Sequence, residues 1–254
     1  MNYDNLIYIF FSGIIQGLTE FLPISSSGHL IILNHFFSIH NLDFEIMLHF
    51  GTVFSIIFYY KKDLLILLKE VFSKDSKQFI SLIILGCVPI SLVGLFFKDS
   101  IDQYLNNVDI LPYTFMLTSI FLFMTRYNYK DRELTYRVVM IMGIFQILAL
   151  LPGISRSGIT IATLLMLGIN IKDAVKFSFL MAIPLILGAT FISIDFNQYS
   201  YISIQYMLLG AFVSFLFGWI AIYLTNYLLS NSKYWIFSIY CFIISITLYF
   251  IIYS

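Results

Sequence analysis

Four side chains capable of chemistry stand inside apolar sequence. Glu20, Ser26 and His29 lie in TEFLPISSSGHL (Thr19–Leu30), and Arg156 lies in PGISRSG. An ionisable residue at the centre of a membrane helix costs about 2.5–3.5 kcal/mol on insertion scales, so each marks a candidate functional site. Their types suit phosphoryl transfer, which needs an electrostatic clamp, a nucleophile or positioned water, and an acid or base. Arg156 supplies the clamp, because its planar fork matches phosphate oxygens. Ser26 is a candidate nucleophile, and His29, three residues on and on the same helical face, is its candidate base. Glu20 is expected to orient His29, hold a proton or ligate a cation. Gln16 lies one turn before Glu20 and can hydrogen-bond but not act as a base.

Each Ser-x-Ser-Gly, at Ser25–Gly28 and Ser155–Gly158, is expected to open a short helix. The first N–H groups of a helix have no partner within it and attract anions, phosphate above all. Ser25, Ser27, Ser155 and Ser157 are therefore candidate substrate-binding residues. The competing reading is that they only hydrogen-bond a broken backbone. Glu45 and His49 share a face near the start of their segment and read as structural residues or as supports standing behind the site. His35 and His40 read as interfacial.

The elements that must position these groups are membrane helices. The chain has 254 residues, 60% hydrophobic and 11% charged, with 27 Phe and 18 Tyr. Soluble domains carry about 25% charged residues, which excludes that class. No basic block points to nucleic acid, and the N-terminus lacks the basic region of a cleavable signal. Cys87 and Cys241 lie in separate apolar runs and read as structural thiols.

Six segments are predicted to cross the bilayer: Phe44–Tyr60, Phe79–Phe97, Leu111–Thr125, Phe177–Ile194, Met207–Leu229 and Trp235–Tyr253. Two regions, around 6–37 and 138–169, instead pair short apolar runs about a polar break. Such pairs read as re-entrant hairpins or broken helices, tolerated at membrane depth where protein buries them or a wet cavity adjoins them. With the loop Lys61–Gln78 inside, alternate threading puts twelve of the fourteen Lys and Arg on the cytoplasmic side, as the positive-inside rule requires. Lys98, in an acidic outer loop, and Arg156 are the two exceptions.

The two broken regions repeat one another. At a constant offset of 130, Gly13–Leu30 and Gly143–Thr160 share eight identities in 18 gapless positions. Under the threading one hairpin enters from outside and the other from inside. That is an inverted-topology repeat, whose binding sites lie near the midplane between the copies. The informative positions are those that differ: Glu20 opposite Leu150, Ser26 opposite Arg156, and His29 opposite Ile159. The fold class is thus an all-α polytopic membrane protein, a single domain over 1–254.

QGLTEFLPISSSGHL and LPGISRSGITIATLLMLGI resemble the two signature motifs of the undecaprenyl-diphosphate phosphatase family, also called bacitracin-resistance proteins. FEIMLHFGTVFSIIFYY and FSFLMAIPLILGA look like the family's as well, in the same order. The resemblance implies a bacterial inner-membrane enzyme that removes the terminal phosphate of a C55 polyprenyl diphosphate. That carrier then returns to peptidoglycan synthesis, supporting cell-wall biogenesis, cell shape and bacitracin resistance. It implies a catalytic Glu20, Ser26, His29 and Arg156, with Gln16 at the first acidic position of the motif. Ser155 and Thr160 match phosphate-handling positions. The resemblance also implies a site opening outward and help from a divalent cation, Mg or Ca, for which Glu20 is the one certain carboxylate. A homodimer stays open. The alternative function is a polyprenyl-phosphate transporter or flippase, which would need the anion site but no nucleophile.

Overall fold

The structure is a computed structural model describing residues 3–39, 41–104, 107–127, 131–193, 202–229 and 234–253. His40, Lys130, Ile194 and Lys233, used in the expectations above, lie outside the described residues. Among the described residues twelve α-helices follow in chain order: α1 Tyr3–Phe21, α2 Ser26–Phe37, α3 Leu42–Tyr59, α4 Lys61–Lys69, α5 Lys74–Phe96, α6 Lys98–Asp102, α7 Leu111–Met124, α8 Tyr136–Gln146, α9 Arg156–Met166, α10 Ile171–Ser193, α11 Ile204–Leu229 and α12 Ile236–Tyr253. Among the described residues no strand forms; a single bridge joins Arg132 and Ile169.

Polar caps start these helices inside apolar sequence. Asn41 accepts from Phe44 N at the start of α3, where Asp43 and Glu45 also favour the positive helix end. Ser73 caps α5 and Thr135 caps α8 in the same way. Gly168, at φ +92, follows the end of α9, the left-handed position that glycine takes without strain.

Among the described residues five helices are long and apolar enough to cross a membrane: α3, α5, α10, α11 and α12. The third predicted crossing, Leu111–Thr125, is short, as its sequence implies. It forms the 14-residue α7, flanked by 3-10 turns at Val108–Ile110 and Thr125–Tyr127. At 1.5 Å per residue α7 is about 21 Å long, against a hydrocarbon core of about 30 Å. The outer surface is apolar as a lipid-facing surface must be. Phe96 and Phe191 are 80% and 82% exposed.

Helix direction follows from which residues meet. Gly13 lies against Gly210, Gly17 against Ser214, and Thr225 Oγ1 donates to the Phe21 carbonyl, so α1 runs parallel to α11. Gly51 against Ala211 and Ser55 against Gly218 make α3 parallel to α11 too. In the second half Gly143 lies against Gly86 and Leu150 against Gly94, while Phe79 meets Phe177. Hence α8 and α10 run parallel to α5. The two sets oppose each other: Lys176 early in α10 pairs with Asp63 just beyond α3. This is the packing that an inverted repeat requires.

Candidate active site

The two breaks are built on one plan with different backbones. In the first, α1 continues through Glu20 to Phe21, and Leu22–Ile24 turn the chain. Ser25 then adopts φ +70, and its Oγ caps α2 by accepting from Gly28 N at 3.2 Å. In the second, α8 ends at Gln146 and tightens into a 3-10 turn over Ile147–Leu150. Gly153 supplies the left-handed residue at φ +87, and Ser155, at φ −76, caps α9 through Gly158 N at 3.0 Å. A non-glycine residue in the left-handed region carries about 1–3 kcal/mol of strain, and Ser25 holds it one residue before Ser26.

The breaks pack against each other. A Cβ on Gly28 would lie 2.9 Å from Gly153 Cα, and one on Gly158 would lie 3.4 Å from the Pro23 carbonyl oxygen. The offset of 130 exchanges these two pairs, as a two-fold relation between the copies would. Carbonyls left over at the end of α1 find partners from other elements. Ser157 Oγ donates to Glu20 O at 3.3 Å, and Cys241 Sγ lies 3.8 Å from Pro23 O.

Glu20 is the hub where the copies meet. Its Oε1 accepts from Arg156 Nη2 at 2.7 Å. Its Oε2 accepts from Ser26 Oγ at 2.7 Å and from Gln16 Nε2 at 3.1 Å. The Glu20 and Arg156 side chains are only 8% and 15% exposed. A buried charge requires such pairing, because losing one partner strands the other. Arg156 Nη1 also donates to the Ser178 carbonyl at 3.3 Å, fixing the guanidinium plane. Gln16 bonds Glu20 although its own Oε1 is buried with no hydrogen-bond partner, a cost of about 1–3 kcal/mol.

Ser26 and His29 diverge from the expected pairing. Side chains tilt toward the N-terminus of their helix, so Ser26, the first residue of α2, reaches back across the turn to Glu20. His29 Nδ1 lies 2.6 Å from Ser25 O, and its Nε2 lies 2.7 Å from Tyr240 Oη. A carbonyl only accepts, so Nδ1 carries the hydrogen and the bare Nε2 accepts from the tyrosine. The rings of His29 and Tyr240 also stack, with centroids 5.8 Å apart. Both ring nitrogens are thus engaged away from Ser26, and Glu20 occupies the position of base to Ser26.

The other predicted residues form framework bonds. Ser25 and Ser155 are caps, and each approaches Ser27 or Ser157 at 3.3 Å between Oγ atoms. Thr160 stands behind Arg156, donating to its carbonyl at 2.9 Å and meeting Ser178 Oγ at 2.7 Å. Cys87 and Cys241 are unpaired thiols. Sequence reasoning did not find Ser178 or Tyr240. Tyr240 is 211 residues from His29, in an otherwise ordinary apolar helix. His49 Nδ1 lies 2.9 Å from Gln16 Nε2; its signal was the four-residue spacing from Glu45.

A divalent cation at Glu20 would have to share a carboxylate already held by three donors, Arg156 Nη2, Ser26 Oγ and Gln16 Nε2. Among the described residues no group of three or more His, Cys, Asp or Glu is placed to hold a metal.

A sequence profile for the family described as bacitracin resistance protein BacA matches residues 9–247. The undecaprenyl-diphosphatase of Thermosipho africanus is 36% identical over 248 residues, covering 94% of this chain and 97% of the relative. That of Thermosipho melanesiensis is 37% identical over 244 residues, 92% and 94% of the two chains. The undecaprenyl-diphosphatase of Pelagibacter ubique is 33% identical over 261 residues, 99% of this chain and all of the relative.

Proposed function

The chain belongs to the bacitracin resistance protein BacA family, and from that premise we propose that it hydrolyses undecaprenyl diphosphate to undecaprenyl phosphate and inorganic phosphate. Recycling the lipid carrier in this way feeds peptidoglycan synthesis and supports the resistance that the family's name describes. The observation that carries the reading is the Glu20 carboxylate held between Ser26 Oγ and Arg156 Nη2, each at 2.7 Å.

The diphosphate enters between the N-termini of α2 and α9, whose first-turn amides favour phosphate. Arg156 has five N–H donors; one holds Glu20 and one holds Ser178 O, which leaves others for phosphate oxygens. Ser26 Oγ attacks the terminal phosphorus as its proton passes to Glu20 Oε2. The bond from that phosphorus to the bridging oxygen breaks, and undecaprenyl phosphate departs with the electron pair. Water then attacks the phosphoserine, Glu20 returns its proton to Ser26 Oγ, and inorganic phosphate leaves. Arg156 stabilises the charge on the phosphoryl oxygens throughout.

We place the protein in the bacterial cytoplasmic membrane with the site opening to the outer face; the distribution of Lys and Arg supports the threading, and the resemblance to the family supports the outward opening. The opposed packing of the two copies favours a second reading, a lipid-phosphate transporter, and one assay separates them. Purified protein in detergent should release inorganic phosphate from undecaprenyl diphosphate, whereas transport is impossible without a membrane. No release from folded protein would overturn the phosphatase. A rapid quench should trap labelled phosphate on wild type but not on Ser26→Ala. Turnover without trapped label would make water, activated by Glu20, the nucleophile.

A further inference from the structure

We propose that His49 is a positioning residue for this reaction, acting through Gln16 on Glu20; the inference rests on the phosphatase reading. The Gln16 amide nitrogen faces two acceptors, Glu20 Oε2 at 3.1 Å on its own helix and His49 Nδ1 at 2.9 Å on α3. An amide nitrogen only donates. The reversed amide would set Gln16 Oε1 against the carboxylate, acceptor against acceptor. His49 therefore keeps its hydrogen on Nε2 and offers the lone pair of Nδ1. The amide is turned toward these acceptors although its own oxygen stays buried and unpartnered.

Two anchors on two helices thus fix one amide, and that amide fixes the carboxylate oxygen that accepts from Ser26. His49 stands 3.8 Å from Glu20 Oε2, beside the reacting groups rather than among them. The second copy shows what the framework needs without the chemistry. There Gln146 matches Gln16 but gives its amide to the Gly86 carbonyl. Leu150 matches Glu20, and carrying the same offset of 130 on to His49 reaches the buried Phe179. Only the copy with the carboxylate has the imidazole. Without His49 the Gln16 amide loses one anchor and is free to rotate its oxygen toward a donor, taking its N–H off Glu20.

The test is phosphate release in detergent by wild type, His49→Ala and His49→Asn, since asparagine sets Oδ1 where imidazole has Nδ1. His49→Ala should lower kcat by about 10- to 100-fold, the range that small misplacements of a catalytic group produce, with KM within about twofold of wild type. His49→Asn should recover most of the loss. An unchanged kcat in His49→Ala, a defect confined to KM, or a folded His49→Asn as slow as the alanine variant would each overturn the proposal. Nitrogen NMR of histidine-labelled protein gives a readout independent of turnover and of whether His49→Ala folds. His49 should show a bare Nδ1 and a protonated Nε2, and the Nδ1 signal should move in Gln16→Leu. The opposite tautomer, or an unmoved signal, would overturn the pairing. A wild type that releases no phosphate would sink the phosphatase reading alone, leaving the pairing to be decided by the spectrum.

Discussion

At the scale of residues, the Glu20–Arg156 pair joins stability to the proposed catalysis. Removing one partner of a buried pair costs about 3–5 kcal/mol, because the remaining charge is stranded, whereas an uncharged pair of similar volume can be neutral or better. Arg156→Met should therefore lose both thermal stability in detergent and phosphate release. The double variant Arg156→Met with Glu20→Gln should regain the melting temperature while staying inactive. An active double variant would remove both residues from the chemistry. The sequence showed these two residues plainly, since a charge in apolar surroundings needs a reason. It did not show the partner of Ser26. That depends on Ser26 being the first residue of α2 and reaching back six residues to Glu20, against the three-residue spacing that suggested His29. The engagement of His29 with Tyr240 depends on how α2 faces α12, which no local spacing encodes.

The elements that hold the site are the two breaks, where backbone shape matters more than side-chain identity. Gly153 has φ +87, and a Cβ there would come within 2.0 Å of Thr114 Oγ1 and 3.0 Å of Thr114 Cβ. Thr118 Oγ1 pins the same loop, donating to Gly153 O at 3.2 Å and accepting from Ser155 N at 3.3 Å. Gly153→Ala should lower the melting temperature and reduce phosphate release by displacing the start of α9. Adding Thr114→Ala should restore only part, since the hydroxyl goes but the unfavourable φ and the close Cβ stay. Full recovery would mean that the φ carries no cost. Pro23, Pro152 and the Ser-x-Ser-Gly caps made both breaks legible in sequence. The helix limits were not: α1 runs on to Phe21 while the matching second segment tightens into a 3-10 turn after Gln146. The 18-position match implied equal shapes, and the two breaks differ in backbone.

For the whole molecule, the basic residues predict the orientation. Single cysteines placed at Lys98 and at Lys74, in a background lacking Cys87 and Cys241, should report opposite sides of the membrane. A membrane-impermeant maleimide should label position 98 in intact cells and position 74 only after lysis. The reverse result would invert the threading and turn the site's mouth inward. The repeat, the order of spans and the all-helical class were readable because composition and periodicity are long-range averages. The short span of α7 was legible too, to within one residue, but the 3-10 turns that flank it were not, because such turns have the same composition as the ends of a helix. The exchange of contacts between the breaks, Gly28 with Gly153 and Gly158 with Pro23, has a consequence for why both copies share one chain. Two separate identical subunits joined on that axis would place like beside like, serine facing serine or arginine facing arginine. Covalent fusion lets the halves diverge, so that position 26 is a hydroxyl and position 156 a cation. The candidate active site is in effect a dimer interface whose symmetry was broken, with the proposed nucleophile and its base from one copy, the cationic clamp from the other, and one reaction centre per chain instead of two.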